Sequence, residues 1–175
     1  MTRSIALLRG VNVGGRNKLP MKLFVGALEG LGCENVRTYI QSGNAVYDGK
    51  ASAGDVAAAV KKAAGFTPHV FVLTAAAFRK AATANPFARQ AAENGKSVHL
   101  FLLDAPPTAD AVEALGAMKR PREDFAIGGR TLYLYTPDGL AVSKVAERID
   151  RVLGVKSTAR NWNTVGKLIE LAGGA

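Results

Sequence analysis

The segment Val36-Arg-Thr-Tyr-Ile-Gln-Ser-Gly-Asn-Ala-Val-Tyr47 decides the fold of the first half of the chain. Residues 36–40 and 45–47 are rich in β-branched and aromatic side chains, which favour short strands. Between them, residues 41–44 supply a glycine and an asparagine, the residue types that tolerate the positive φ of a tight hairpin. The segment therefore predicts two neighbouring antiparallel strands.

The flanking sequence extends this hairpin to a βαββαβ order. Upstream, residues 5–8 form a predicted strand, and a glycine-rich loop over residues 10–18 leads to Pro20, which suits a first helical turn. The predicted helix ends at Gly32 and has an inner face of Met21, Phe24, Leu28 and Leu31. Downstream, Asp55 is expected to cap a helix that ends at Gly65, and residues 69–73 form a strand.

The second half repeats the order after a predicted connecting helix over residues 74–84. Residues 97–103 alternate as a strand, Thr108 caps a helix, and Gly128-Gly129 predicts a hairpin between residues 124–127 and 131–135. A helix capped by Ser143 and ended by Gly154 precedes a strand over residues 156–160. The terminal helix is expected to be capped by Asn163 or Thr164.

Two consecutive βαββαβ patterns predict an α+β protein of two tandem ferredoxin-like subdomains, or alpha-beta plaits, plus a C-terminal helix. The expected limits are residues 1–74 for the first subdomain, 75–96 for a connecting segment and 97–175 for the second subdomain with the terminal helix. The alternative is one mixed α/β sheet wound from all the strands.

Composition excludes several classes of protein. Of the 175 residues, 48% are hydrophobic and 21% are charged, which is typical of a globular chain. One cysteine and two histidines cannot form a disulfide framework or a Cys/His zinc cluster. We expect no metal and no cofactor, and the sequence has no evident secretory or membrane segment. The unpaired Cys33 favours the cytoplasm, and the net charge of +9 favours an anionic partner.

The predicted topology brings polar residues to one edge of the first sheet. The end of the first strand, the hairpin turn and the start of the first helix meet there, which suits an anion or phosphate. The candidate ligand-binding residues are Arg9, Asn12, Gly14, Gly15, Asn17, Lys18, Ser42 and Asn44. Residues 10–17 read G-x-x-x-x-G-R-N, a near miss of the phosphate loop that lacks its lysine and hydroxyl. The alternative is a structural loop whose asparagines bind their own backbone.

Two further features are candidates in the second half. His99 and Phe101 share one face of a strand, and Tyr133 and Tyr135 share one face of the adjacent strand, as in RNA-recognition modules, although the motif of those modules is absent. The alternative is that these aromatics are buried. The other feature is a polar rim of Arg160, Asn161 and Asn163 around Trp162, which could instead be a hydrophobic staple at the helix entry.

Catalytic groups are not evident. The sequence offers no paired carboxylates and no nucleophile elbow, and we interpret Cys33 and His99 as structural residues. The catalytic residues are therefore unknown. The sequence favours a cytoplasmic protein that binds a phosphorylated or nucleic-acid ligand. We expect no association with a membrane. An enzyme of unidentified class and a protein-interaction module stay as alternatives.

Several blocks resemble an uncharacterised bacterial protein family, domain of unknown function 1697. They are residues 6–15, Ala-Leu-Leu-Arg-Gly-Val-Asn-Val-Gly-Gly, residues 17–21, 36–44 and 85–87, and residues 158–164, Thr-Ala-Arg-Asn-Trp-Asn-Thr. The resemblance extends over essentially the whole chain. It implies two ferredoxin-like subdomains and supplies no activity, substrate or catalytic residue.

Overall fold

The computed structural model describes residues 1–173. Within them the chain forms two four-stranded antiparallel sheets and seven α-helices. The fold is therefore α+β, and the alternative of one sheet wound from all the strands is wrong. Two compact units result: Met1–Lys80 with the chain from Gly166 onwards, and Ala81–Val165. The subdomain limits expected from the sequence stay predictions.

The first sheet has the strand order β2-β3-β1-β4. Its elements follow one another as β1 (Arg3–Arg9), α1 (Met21–Glu29), β2 (Glu34–Thr38), β3 (Asn44–Asp48), α2 (Ala53–Ala64) and β4 (His69–Thr74). Ala6 and Leu8 on β1 pack with Phe24 and Leu28 on α1 and with Val56 and Val60 on α2. These residues are almost wholly buried and form the core of this layer.

The helix ends of the first unit agree only partly with the sequence. Gly65 follows the last residue of α2 in a left-handed conformation and ends the helix as predicted, but the N-cap is Ser52 and not Asp55. Asp55 is the third residue of the helix. Its carboxylate accepts a hydrogen bond from the Ser52 N–H at 2.9 Å, which completes a capping box. α1 ends at Glu29, so Leu31 lies beyond the helix and is 39% exposed, contrary to the predicted inner face.

The second sheet repeats the order as β6-β7-β5-β8. Its elements are β5 (Val98–Leu103), α5 (Ala109–Gly116), β6 (Asp124–Gly128), β7 (Thr131–Tyr135), α6 (Lys144–Leu153) and β8 (Ser157–Asn161). The predicted caps at Thr108, Ser143 and Gly154 are confirmed. The Gly128-Gly129 hairpin is confirmed as well, with Gly129 at φ +58°.

Three further helices complete the described chain: α3 (Ala75–Thr83), α4 (Ala88–Glu93) and α7 (Trp162–Leu171). The sequence predicted α3 but not α4, a short helix that follows Asn85-Pro86. α4 has a single buried residue, Ala91, and therefore too little apolar periodicity to be recognised. A 3₁₀ turn, Leu140–Val142, precedes α6.

Gly43→Ala is expected to reduce the unfolding free energy by about 2–4 kcal/mol. Gly43 has φ +77°, and an added Cβ would lie 2.7 Å from Leu8 Cβ and 2.8 Å from Val11 Cγ2. Urea unfolding measures the loss. The matched control is Gly14→Ala, with φ +56° and open space around the added Cβ, where only a backbone cost of about 1 kcal/mol is expected. Equal losses in the two variants would contradict the close contact.

Ile149→Asp is expected to destabilise the protein by about 3 kcal/mol or more, because it buries an unpaired carboxylate. Ile149 is 4% exposed and packs with Val145, Leu153 and Leu115. Thermal unfolding measures the effect. Arg148→Asp places the same side chain on the exposed face of α6 and is the control. A silent Ile149→Asp would mean that this face of α6 is not part of the core.

Candidate functional site

The strand register brings the predicted site residues of the first unit to one edge of the sheet. Arg9 at the end of β1 pairs with His69 at the start of β4, and Leu7 pairs with Asn44 at the start of β3. The Leu8 N–H donates to Gly43 O at 2.8 Å. We call this surface the loop edge; it comprises the end of β1, residues 10–20, residues 39–43 and the start of β4.

The loop between β1 and α1 is tightly coiled. Five of its residues have a positive φ, namely Gly10, Asn12, Gly14, Gly15 and Asn17. The Asn12 N–H donates to Asn17 O at 3.1 Å, and the Arg16 N–H donates to Val13 O at 3.0 Å. Glycine and asparagine are the residues that adopt such a backbone at least cost, which explains their density in this loop.

The loop asparagines bind their own backbone. Asn12 Nδ2 donates to Leu19 O at 2.9 Å and to Gln41 O at 2.6 Å, while its Oδ1 accepts from the Leu19 N–H at 2.8 Å. Asn17 Nδ2 donates to Gly10 O at 3.1 Å. These two asparagines therefore have the structural role that the alternative interpretation gave them. Gly14, Gly15 and Lys18 are exposed to solvent.

The second loop differs from its predicted form. Ile40, predicted in a strand, has φ +49° and is 50% exposed, because β2 ends at Thr38. Asn44 is fully buried, and its Nδ2 donates to Tyr39 O at 3.0 Å and to Ser42 Oγ at 2.9 Å. Asn44 therefore shapes the loop from inside, and Ser42 is half-buried beside it.

Charge is separated along the first unit. Residues 9–28 contain no acidic side chain, and the cations Arg9, Arg16 and Lys18 are exposed at the loop edge. The strand and helix directions place further cations at this end, namely Lys22, Arg37, Lys61 and Lys62. The acidic residues lie at the opposite end: Glu34 pairs in register with Asp48, α1 ends with Glu29, and α2 begins near Asp55. Asp48 forms an ion pair with Arg3 at 2.8 Å.

Two exposed apolar side chains that the sequence did not single out lie among these cations. Val13 is 63% exposed and Ile40 is 50% exposed. Their loops are joined by the bond from Asn12 Nδ2 to Gln41 O, which involves the sequence neighbour of each residue. A signal for Val13 was available in the sequence, since it is a β-branched residue in a predicted polar loop, whereas Ile40 was missed because it was predicted in a strand. His69 is half-buried at the same edge, with its ring edge-on to Phe71 at 5.0 Å.

The second predicted group lies in the other unit and is mainly structural. Asn161 Oδ1 accepts from the Thr164 N–H at 3.0 Å, so Asn161 caps α7, and the predicted caps Asn163 and Thr164 are wrong. Trp162 is the first residue of α7 and half-buried, and its N–H donates to Gly95 O at 2.9 Å. Arg160 is buried, and its Nη1 donates to Thr158 Oγ1 at 2.8 Å.

Two physical consequences follow for these residues. Burial lowers the pKa of Arg160 to about 10, so the guanidinium stays charged at neutral pH inside the protein. Asn163 is exposed, but a Cβ on Gly95 would clash with its Oδ1, so the side chain lies directly over the glycine. The polar rim therefore reduces to Asn161 and Asn163, and Arg160 is not part of it.

The aromatic strands do not form the predicted common face. His99 pairs with Leu134, and Leu100 pairs with Tyr133, so His99 and Tyr133 point to opposite sides of the sheet. Tyr133 is 5% exposed, and its hydroxyl donates to Ala81 O at 2.5 Å. Tyr135 stacks with Phe87 at 6.0 Å. The alternative of buried aromatics is therefore correct for Tyr133, and no base can stack on it.

The two residues interpreted as structural are both buried. Burial raises the pKa of the Cys33 thiol and lowers the pKa of His99 to about 4. His99 Nδ1 has no hydrogen-bond partner among residues 1–173. Over the same residues, no three His, Cys, Asp or Glu side chains are grouped so as to hold a metal ion.

Comparison with known proteins adds a family. The family model described as "Protein of unknown function (DUF1697)" matches residues 1–133. The chain belongs to the DUF1697 family. No curated protein matches this DUF1697 chain. Among solved structures, it is similar to the conserved bacterial protein SP0830 from Streptococcus pneumoniae, with a TM-score of 0.66, 21% identity and 98% of each chain covered. At that identity the likeness shows the fold alone.

The helices of this DUF1697 protein are short. Among the described residues, 1–173, none of them has the length and apolar composition that crossing a bilayer requires.

His99 is expected to make the protein sensitive to acid. Its pKa is near 4 in the folded state and 6.5 when unfolded, so between these values the unfolded state binds a proton that the folded state does not. Stability therefore falls as the pH drops from about 6.5 to 4, by up to about 3 kcal/mol from this residue.

The measurement compares urea unfolding of the wild type and His99→Gln across this pH range. The variant is expected to lose the His99 part of the pH dependence. The control is His69→Gln on the other sheet, which removes one histidine and leaves His99 in place. Parallel pH profiles for wild type and His99→Gln would contradict the assignment.

Proposed function

We propose that this protein binds a phosphate-bearing polyanion at the loop edge, and that the polyanion is a single strand of nucleic acid. The observation that carries the proposal is the charge separation of the first unit. Seven cations lie toward the loop edge, and the four acidic residues among residues 1–80 lie toward the opposite end of the first sheet. Such a surface attracts a polyanion through long-range electrostatics and the release of counterions.

The state of the amides favours a polyanion over a small phosphorylated metabolite. A small anion is bound by convergent donors that hold its oxygens. At the loop edge the amides of Asn12, Asn17 and Asn44 donate to oxygens of the protein itself. The exposed side chains of Arg16 and Lys18 take part in no ion pair among residues 1–173. Dispersed cations suit a string of phosphates.

The apolar side chains at the loop edge favour a single strand over a duplex. Val13 and Ile40 project among the cations and would contact the faces of bases. In a duplex these faces are stacked inside, whereas a single strand exposes them. Contacts to phosphates and to base faces read no sequence, so the binding is expected to be largely independent of sequence.

Two related assignments belong to the same proposal. The strand orders β2-β3-β1-β4 and β6-β7-β5-β8, each within a βαββαβ succession, support a ferredoxin-like plait for each unit. A cytoplasmic location is supported by the single, buried cysteine, which has no second cysteine to pair with.

The test measures the affinity of a fluorescein-labelled oligo(dT) and its RNA counterpart by anisotropy between 50 and 300 mM salt, and both are expected to bind. Arg16→Ala with Lys18→Ala is expected to weaken binding roughly tenfold at low salt, and to reduce the slope of log K against log salt by about 1.4. The control is Arg3→Ala with Lys50→Ala, which removes the same charge at the opposite end of the first unit.

Three outcomes would contradict the proposal. One is absence of oligonucleotide binding at 50 mM salt, and a second is equal weakening by the two double variants. The third is binding to phosphatidylserine vesicles without binding to oligonucleotides, since Val13 and Ile40 would then insert into lipid. Val13→Ser with Ile40→Ser is expected to weaken oligonucleotide binding and leave the salt slope unchanged, because it removes only the base contacts.

A further inference from the structure

The outer faces of α1 and α2 form an open apolar groove of about 840 Å³. Its floor consists of small residues, and its walls include two leucines; the residues that matter here are Leu23, Gly26, Ala27, Leu31, Ala59 and Ala63. Leu23 is 43% exposed and Leu31 is 39% exposed. Large apolar side chains beside a concave apolar floor mark a surface that binds another molecule.

Gly26 has no internal reason to be glycine. It lies inside α1 with an ordinary helical backbone, where glycine stabilises a helix less than alanine does. An added Cβ would meet no atom within 4 Å, so packing inside the protein does not exclude a side chain. The absence of a side chain deepens the groove, and only a molecule lying in the groove makes use of that depth.

The two ends of the groove carry unequal charge. α1 and α2 run in opposite directions, so Lys22 near the start of α1 and Lys62 near the end of α2 line the same end. Neither lysine takes part in an ion pair over residues 1–173. At the other end the Asp55 carboxylate accepts from the N–H of Ser52 at 2.9 Å and from its hydroxyl at 2.6 Å. Two lysines and one carboxylate line the groove, so its net charge is positive.

We propose that this groove docks an amphipathic helix of a partner protein whose N-terminal turn is acidic. The apolar face of that helix would lie between Leu23 and Leu31, above the floor at Gly26. Its acidic turn would lie at Lys22 and Lys62. Acidic residues in the first turn also stabilise a helix. The same residues would therefore stabilise the partner helix itself and its contact with the lysines. The proposal does not depend on nucleic acid binding at the loop edge.

The dimensions of the groove suit a short helix. α1 has nine residues, which at 1.5 Å per residue gives a length of about 14 Å. A partner helix of two to three turns spans this length and presents apolar residues at i, i+3, i+4 and i+7. A floor of glycine and alanine lets such side chains approach the backbone of α1 closely.

The probe is a synthetic capped peptide of about 14 residues with leucines at those positions, glutamates in its first turn and a C-terminal fluorophore. The comparison peptide carries lysines in place of the glutamates. Anisotropy titration of the full-length protein at 50 mM salt is expected to give binding of the acidic peptide about tenfold or more tighter than the basic one. Carbodiimide crosslinking is expected to join peptide glutamates to Lys22 or Lys62.

Gly26→Leu fills the floor of the groove and is expected to weaken binding of the acidic peptide about tenfold. The variant is expected to fold, because the position is open and leucine favours a helix more than glycine does. The matched control is Gly166→Leu in α7, also an open helical position, where no effect on peptide binding is expected. Lys22→Glu with Lys62→Glu is expected to reverse the preference and favour the basic peptide.

Several results would overturn the proposal. They are equal affinity for the two peptides, no binding of either peptide, or unchanged affinity in a folded Gly26→Leu variant. Analytical ultracentrifugation provides a further arm: self-association that Gly26→Leu abolishes would assign the groove to a second copy of this chain. Loss of oligonucleotide binding at the loop edge would leave all of these expectations unchanged.

Discussion

The approach of Gly43 to Leu8 is the contact on which the loop edge depends. The two residues lie so close that a Cβ on Gly43 would sit 2.7 Å from Leu8 Cβ, and a backbone hydrogen bond of 2.8 Å joins them. This contact seats the loop before β3 against the end of β1. Asn12 can then span to Gln41 O and hold the two loops together from the other side. Without the contact between Gly43 and Leu8, the cations and the exposed side chains of Val13 and Ile40 would not share one surface.

The charge separation follows from the direction of the chain. Each helix returns the chain to the opposite end of the sheet, so residues at the start of α1 and the end of α2 lie at the same end. Net charge alone gives no such direction, since a charge of +9 could be spread evenly. The fold gathers the cations of the first unit toward one end, and this is the end where the proposed polyanion would bind.

Sequence reasoning succeeded where one residue type controls a local conformation. Thr108, Ser143, Gly65 and Gly154 were assigned correctly, because a hydroxyl cap or a left-handed glycine is a local requirement. It failed where the outcome depends on pairing between distant residues. The faces of His99 and Tyr133 are set by a register that pairs odd with even positions, and alternation within each strand carries no information on that register. The cap of α7 was misplaced because asparagines occur on both sides of Trp162.

The same distinction applies to the candidate site. Arg9, Asn12, Lys18 and Ser42 lie at one edge of the sheet because the order of the strands determines which loops meet. Their role in binding stays a prediction. The use of each amide could not be predicted, since it depends on where carbonyl groups of another loop lie.

The loop edge and the groove meet at the start of α1, and this has an electrostatic consequence. Lys22 lines the groove and follows the loop that carries Arg16 and Lys18. Charges within a Debye length of about 8 Å influence one another in physiological salt. An acidic helix in the groove would neutralise part of the potential that attracts a polyanion to the loop edge. By linkage, a polyanion bound there would weaken the acidic helix by the same factor. One unit of this fold would thus hold two antagonistic surfaces, coupled through charge and without a change of shape.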